Sequence, residues 1–170
     1  MNFREYKNED GEKILSFIKS EREFRLWSAN KYGSYPISSN DINKNYLECK
    51  KISNFYPFTL TDSGRTIGHL ILRNPEKDLS VIRLGFVIVN PDIRGKGYGK
   101  ILVNKAIVYA REKLGAKEIN LDVFTNNKSA IECYKSVGFE ITNILKNAYK
   151  FHDEYWDSAE MVLKQQNVYS

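Results

Sequence analysis

Arg94-Gly95-Lys96-Gly97-Tyr98-Gly99 follows an apolar run, Leu79 to Val89, that Asn90-Pro91 closes. It precedes a stretch in which Tyr98, Leu102, Ala106, Tyr109 and Leu114 mark one face of a helix ending at Gly115. A glycine-rich turn at that junction reads as strand, loop, helix. Without Cβ atoms, such a loop lets a ligand approach the backbone, its successive N–H groups point outward, and the helix adds the positive end of its dipole. Arg94, Lys96 and Lys100 add formal charge, so the loop reads as an anion cradle fit for a pyrophosphate. Two nucleotide signatures fail on it: GxGxxG needs glycine where Lys100 stands, and a Walker A loop needs Ser or Thr where Ile101 stands. On spacing alone, glycines that serve only the turn remain the other reading.

The remaining elements assemble around that centre. Phe3 to Lys7 reads as a short strand, and Asp10 to Ser20 carries Ile14, Leu15, Phe17 and Ile18 at helical spacing. An aromatic-rich segment leads to a second helix that starts at Ser38 or Ser39 and ends near Ile52. Phe55 to Thr61 and Thr66 to Arg73 form a hairpin around Asp62-Ser63-Gly64-Arg65. Ile119 to Phe124 is the next strand, Asn127 to Val137 a helix stopped by Gly138, and Glu140 to Leu145 and Ala159 to Leu163 two final strands. The prediction is an α/β chain: a mixed sheet flanked by about four helices, built on a strand-helix-strand-helix centre. At 170 residues, with 42% apolar and 13% aromatic residues, it has material for one core and one domain, 1–170, and is neither disordered nor fibrous.

Lys and Arg number 26 against 21 Asp and Glu, a net charge of +5 that suits an anionic ligand without the dense basic runs of a nucleic-acid tail. Cys49 and Cys133 lie far apart with no CxxC or histidine partner, so neither a disulfide framework nor a metal site is expected. The residues after Met1 form no apolar leader and no apolar stretch is long enough for a membrane span, so the expected location is cytoplasmic.

Arg94-x-x-Gly97-x-Gly99 resembles the Arg/Gln-x-x-Gly-x-Gly/Ala signature of the GNAT superfamily of acetyl-coenzyme A dependent N-acetyltransferases. Asn126 to Phe139, with Ala130-Ile131, Tyr134 and Gly138-Phe139, is similar to the second signature of that family. The resemblance is specific over residues 79 to 139. It implies a mostly antiparallel central sheet splayed between its fourth and fifth strands, with acetyl-CoA in the opening. It implies a cofactor core at about 79–139 and acceptor elements at about 20–52 and 146–158. Carried over by position, Val87 and Val89 offer backbone groups to the pantetheine, and Arg94, Gly95, Lys96, Gly97, Tyr98, Gly99 and Lys100 hold the pyrophosphate. The N–H of Val87 stabilises the oxyanion. Asn127 contacts cofactor or backbone, a place that a helix N-cap explains equally well. Tyr134 is the general acid that protonates the departing thiolate, with inward core packing as its other reading.

Alternation puts Ile119, Leu121 and Val123 on one face of their strand and Asn120, Asp122 and Phe124 on the other, so Asp122 can point into the cleft as general base. It matches a basic Glu of some N-terminal acetyltransferases, while a salt-bridged surface acid is the alternative. Phe24, Trp27, Tyr32 and Tyr35, with Tyr149, Phe151, Tyr155 and Trp156 near Asp153 and Glu154, suggest either a cage for an amine or a roof over the core. Cys133 is read as a small buried residue rather than a nucleophile, and His69 as structural. The function implied is direct acetyl transfer from acetyl-CoA to a primary amine of a small molecule or a protein or peptide N-terminus, in a chain without nucleic-acid or membrane partners that can form a homodimer. A CoA-binding sensor without turnover is the alternative, and nucleic-acid binding driven by the net charge a third.

Overall fold

The computed structural model describes residues 1–165. Seven strands form one sheet: β1 (Asn2–Glu5), β2 (Phe55–Asp62), β3 (Arg65–Arg73), β4 (Val81–Val89), β5 (Glu118–Phe124), β6 (Phe139–Phe151) and β7 (Glu154–Leu163). Their order is β1-β2-β3-β4-β5-β7-β6, and every pairing is antiparallel except β4 with β5. The helices are α1 (Asp10–Ser16), α2 (Glu21–Ser28), α3 (Ser39–Ile52), α4 (Tyr98–Glu112) and α5 (Lys128–Ser136). The mixed, mostly antiparallel sheet was expected. Five α-helices replace about four, because Glu21–Ser28 folds as a helix within the aromatic-rich segment to which the sequence reading assigns no element.

Two layers of helix cover the sheet. On one face α4 buries Leu102, Val103, Ala106 and Ala110 against Leu60, Leu72, Ile82 and Leu121, and α5 adds Ile131 and Tyr134. On the other, α1 to α3 bring Ile14, Phe24, Ile42 and Tyr46 onto Phe55, Ile71 and Ile88. His69 is fully buried on that side, with its Nε2 2.8 Å from the Tyr46 hydroxyl, and so has the structural role expected of it. No helix among the described residues is long and apolar enough to cross a membrane.

Two departures shape the site. The last two strands are far longer than the hydrophobic pattern suggests, so residues 146–158, expected as a loop beside the acceptor, are mostly hairpin, and only His152-Asp153 make the turn. Strand β4 is also bulged: Gly85 lies opposite Ile71 and Ile88 opposite His69, which leaves Phe86 and Val87 against Leu70 alone. Phe86 takes up the extra residue at φ 48°, and the alternation of faces inverts there. Before the bulge Ile82 and Leu84 face α4; after it Val87 and Val89 do. The β4-β5 ladder stops at Leu84 and Leu121, although β4 continues to Val89 and β5 to Phe124. The sheet therefore opens between its fourth and fifth strands, as the resemblance implies.

Candidate active site

That opening is part of a cavity of about 560 Å³ that runs from the glycine loop, along Val87, Ile88 and Val89, to α2 and the end of α1. At the loop end Gly95 and Gly97 have φ of 79° and 82°, a backbone that only glycine adopts without strain, and a Cβ on either would project into open space. Gly97 is the N-cap of α4 and supplies no side-chain cap. Among the described residues, none of the amides from Gly95 to Lys100 finds a backbone acceptor, so the first turn presents its N–H groups outward. Arg94 and Lys100 line the same end, and the Arg94 Nε donates to the Val89 carbonyl at 3.3 Å, which ties the loop to the strand. Lys96 is exposed and outside the lining. Converging amides, missing side chains and two cations fit a pyrophosphate, and the edge of β4 that β5 leaves uncovered beyond Leu84 fits an extended amide chain laid alongside it.

The wall opposite β4 is α5. Asn127 occupies its N-cap position without capping a backbone N–H; its Oδ1 accepts from the Ser129 hydroxyl at 3.5 Å, and both residues line the cavity. Tyr134 is 7% exposed, packs edge-on to Phe139, and lines the cavity with a hydroxyl that hydrogen-bonds to nothing among the described residues. Burial, with a smaller effect from Cys133, pushes its phenol above the ordinary value and keeps it protonated. Cys133 lies against the loop, where a Cβ on Gly99 would come within 3.0 Å of its Sγ. Burial outweighs the nearby Lys100 and raises its thiol, so it is held as the neutral, poorly nucleophilic form.

Two alternatives left open on the acceptor side are resolved by the geometry. Asp122 does not reach the cavity: its exposed carboxylate accepts from Arg83 Nη1 at 3.1 Å, and Arg83 is held in turn by Asn120 at 2.8 Å. Of the two readings left open for the aromatics, the packing shows the roof and not the cage. Phe24 and Tyr32 are buried roof residues, Tyr149, Phe151 and Trp156 pack on one another, and Tyr155 is exposed. Of the cage candidates Trp27 alone lines the cavity, and its Nε1–H donates to the Phe86 carbonyl at 2.9 Å, pinning the bulge. Sequence reasoning missed Phe17, Ile18, Glu23 and Leu26, which complete the wall. Ser20-x-x-Glu23 has capping-box spacing, the one sequence signal for the helix that carries two of them. A second hollow of about 440 Å³, lined by Lys13, Lys19 and Arg65, has neither an outward glycine loop nor a tyrosine.

Comparison with known proteins agrees with this geometry. The profile of the acetyltransferase (GNAT) family matches residues 21–139. An uncharacterised N-acetyltransferase of Methanocaldococcus jannaschii is 37% identical over 94 residues, 52% of this chain and 41% of that protein, so the match spans less than half of its length. A peptidyl-lysine N-acetyltransferase of Salmonella typhimurium is 25% identical over 147 residues, covering 84% of this chain and 85% of its own. Among solved structures, the spermidine N-acetyltransferase of Vibrio cholerae in complex with CoA and spermine superposes with a TM-score of 0.80 at 21% identity, over 95% of this chain and 94% of that one. That likeness is one of fold.

Proposed function

The chain belongs to the acetyltransferase (GNAT) family, and on that premise we propose that it moves an acetyl group from acetyl-CoA directly to a primary amine of a small molecule or of a protein or peptide N-terminus. One observation carries this reading: a single cavity joins the outward amides of the glycine loop, the edge of β4 that β5 leaves uncovered and the Tyr134 hydroxyl. Bound there, acetyl-CoA supplies the thioester whose carbonyl carbon the amine attacks. Arg94, Lys100 and the amides of Gly95 to Lys100 hold the pyrophosphate, and Asn127 contacts the chain that follows it. The Val87 N–H, in the bulge and without a partner on β5, donates to the oxygen that gains charge. Tyr134 keeps its proton at working pH and gives it, or a hydrogen bond, to the departing sulfur. Among the described residues the lining beside Val87 holds no aspartate, so the amine's proton leaves through water, and Asp122, held by Arg83 outside the cavity, takes no part. The protonated Cys133 thiol, with no histidine lining the cavity, favours direct transfer over an acyl-enzyme.

Relatives that act on peptidyl-lysine and on spermidine support a primary amine as acceptor. The two free thiols, Cys49 and Cys133, support a cytoplasmic location. The long edge strand β6, with Ile141, Ile144 and Leu145 exposed, supports a homodimer. Acetyl-CoA should raise the thermal midpoint of the protein, and acetyl-CoA with a panel of amines should release free thiol in an amine-dependent way. No thermal shift would remove the cofactor assignment, and binding without thiol release would leave a CoA sensor.

A further inference from the structure

Helix α2 presents Glu23, Leu26 and Trp27 to the cavity, an i, i+3, i+4 face. Its other charges are already matched. Arg22 is bound by both carboxylate oxygens of Glu154, and Arg25 lies 3.8 Å from Glu21 and donates to the Tyr32 carbonyl at 2.7 Å. Glu23 has no ion pair among the described residues. One of its oxygens accepts from the Lys19 N–H at 2.7 Å, which fixes the carboxylate at the start of the helix, and the other has no hydrogen-bond partner among those residues. A half-buried carboxylate fixed by one oxygen, with apolar Phe17, Ile18, Leu26 and Trp27 beside it, is built to take a cation on an aliphatic stem.

Resting on the acetyl-transfer reading, we propose that Glu23 binds the second, non-reacting ammonium of a short aliphatic diamine. The position decides between the two nitrogens. Trp27 marks the reacting end, because it is bonded to the Phe86 carbonyl at the bulge, and Glu23 lies four residues, about 6 Å, along the axis from it. A carboxylate against the attacking nitrogen would hold it protonated and inert, whereas a turn away it fixes the far charge and leaves the near amine free to lose its proton. A carboxylate beside the acceptor amine, as in an α-amino acid, gains nothing from this wall.

The test compares 1,4-diaminobutane with n-butylamine as acceptors for the full chain, read as thiol release from acetyl-CoA. The wild-type protein should favour the diamine by about tenfold or more in kcat/KM, and that advantage should shrink as salt is raised. Glu23→Gln, whose amide oxygen still accepts from Lys19 and whose thermal midpoint reports the state of the helix start, should bring the ratio close to one through a higher KM for the diamine. An active wild-type enzyme without diamine preference, or a preference indifferent to salt or retained in Glu23→Gln, overturns the subsite alone. Absence of thiol release with every amine overturns the acetyl-transfer reading and the subsite with it.

Discussion

Tyr134 shows how far one side chain can be read. A buried tyrosine beside Phe139 looks like core, yet a core phenol needs a partner for its hydroxyl, and here the hydroxyl meets only the cavity. Tyr134→Phe keeps ring and packing while deleting the proton, so kcat should fall by about tenfold to a thousandfold with little change in acetyl-CoA affinity. Because burial raises this phenol, its ionisation cannot produce an alkaline fall in rate below about pH 10, and the wild-type rate should climb with pH as free amine accumulates. A rate that drops between pH 8 and 10 in the wild type but not in Tyr134→Phe would show a phenol that is not raised, and an unchanged kcat in Tyr134→Phe would return the residue to the core. Asp122 gives the opposite expectation. Its carboxylate is exposed and bonded to Arg83, so Asp122→Asn should run parallel to the wild type from pH 6 to 9 within about twofold. A gap that is wide near neutrality and closes on going alkaline would make it the base after all. Spacing alone leaves the glycines a turn and Tyr134 a core position, and only the resemblance sets them side by side; in the structure they line one cavity. Asp122 misled because strand alternation reports a face of the sheet, not how far along that face the cavity extends.

At the scale of elements, the fold hides a titratable group where two strands and a helix meet. His69 on β3 is fully buried beneath Tyr46 of α3, and burial, only partly opposed by the charge of Asp10, lowers its imidazole to about 3. The folded value lies below the unfolded value of about 6.5, so the unfolded chain binds the proton first. The stabilisation is complete above about pH 6.5 and is lost progressively as pH falls toward the folded value. Thermal midpoints should therefore fall from pH 7 to pH 4.5, and His69→Gln, which keeps a hydrogen-bonding group near Tyr46, should flatten that slope even though it lowers the midpoint at pH 7. A slope unchanged by the substitution would assign the acid sensitivity to other groups. The hairpin of β2 and β3, strand β5 and helices α4 and α5 were readable from turn residues and periodicity. Helix α2 was not, because its eight residues crowd aromatics among charges, and the segment owes its helical form to the Ser20 cap and to packing on Phe86 and Ile71. The bulge in β4 left no trace either: from Val81 to Val89 both faces are covered and nearly every residue is apolar, so an inverted alternation looks the same as a regular one.

The whole molecule has two unequal sheet edges. Strand β1 is four residues long, short enough to offer little to a neighbour, whereas β6 runs for thirteen residues with nearly every side chain exposed. Ile141, Ile144 and Leu145 are 38%, 44% and 46% exposed on that strand, a run of apolar surface beside unpaired backbone at the end of the sheet. Monomers protect such edges with charge, proline or a covering loop, and among the described residues β6 has none over this stretch, since Lys146 pairs back to Asp157 of its own hairpin. A second copy of the chain supplies the simplest cover, so the protein should run in light scattering at about twice its mass of 19.8 kDa. Ile144→Lys places a charge in the middle of the edge and should return the single-chain mass. It should do so without touching cofactor binding, because β7 and β5 stand between β6 and the opening at β4. The acetyl-CoA thermal shift of the variant is therefore expected to equal that of the parent. A parent that already runs at the single-chain mass at tens of micromolar would remove the dimer, and a variant that stays double would move the interface off β6.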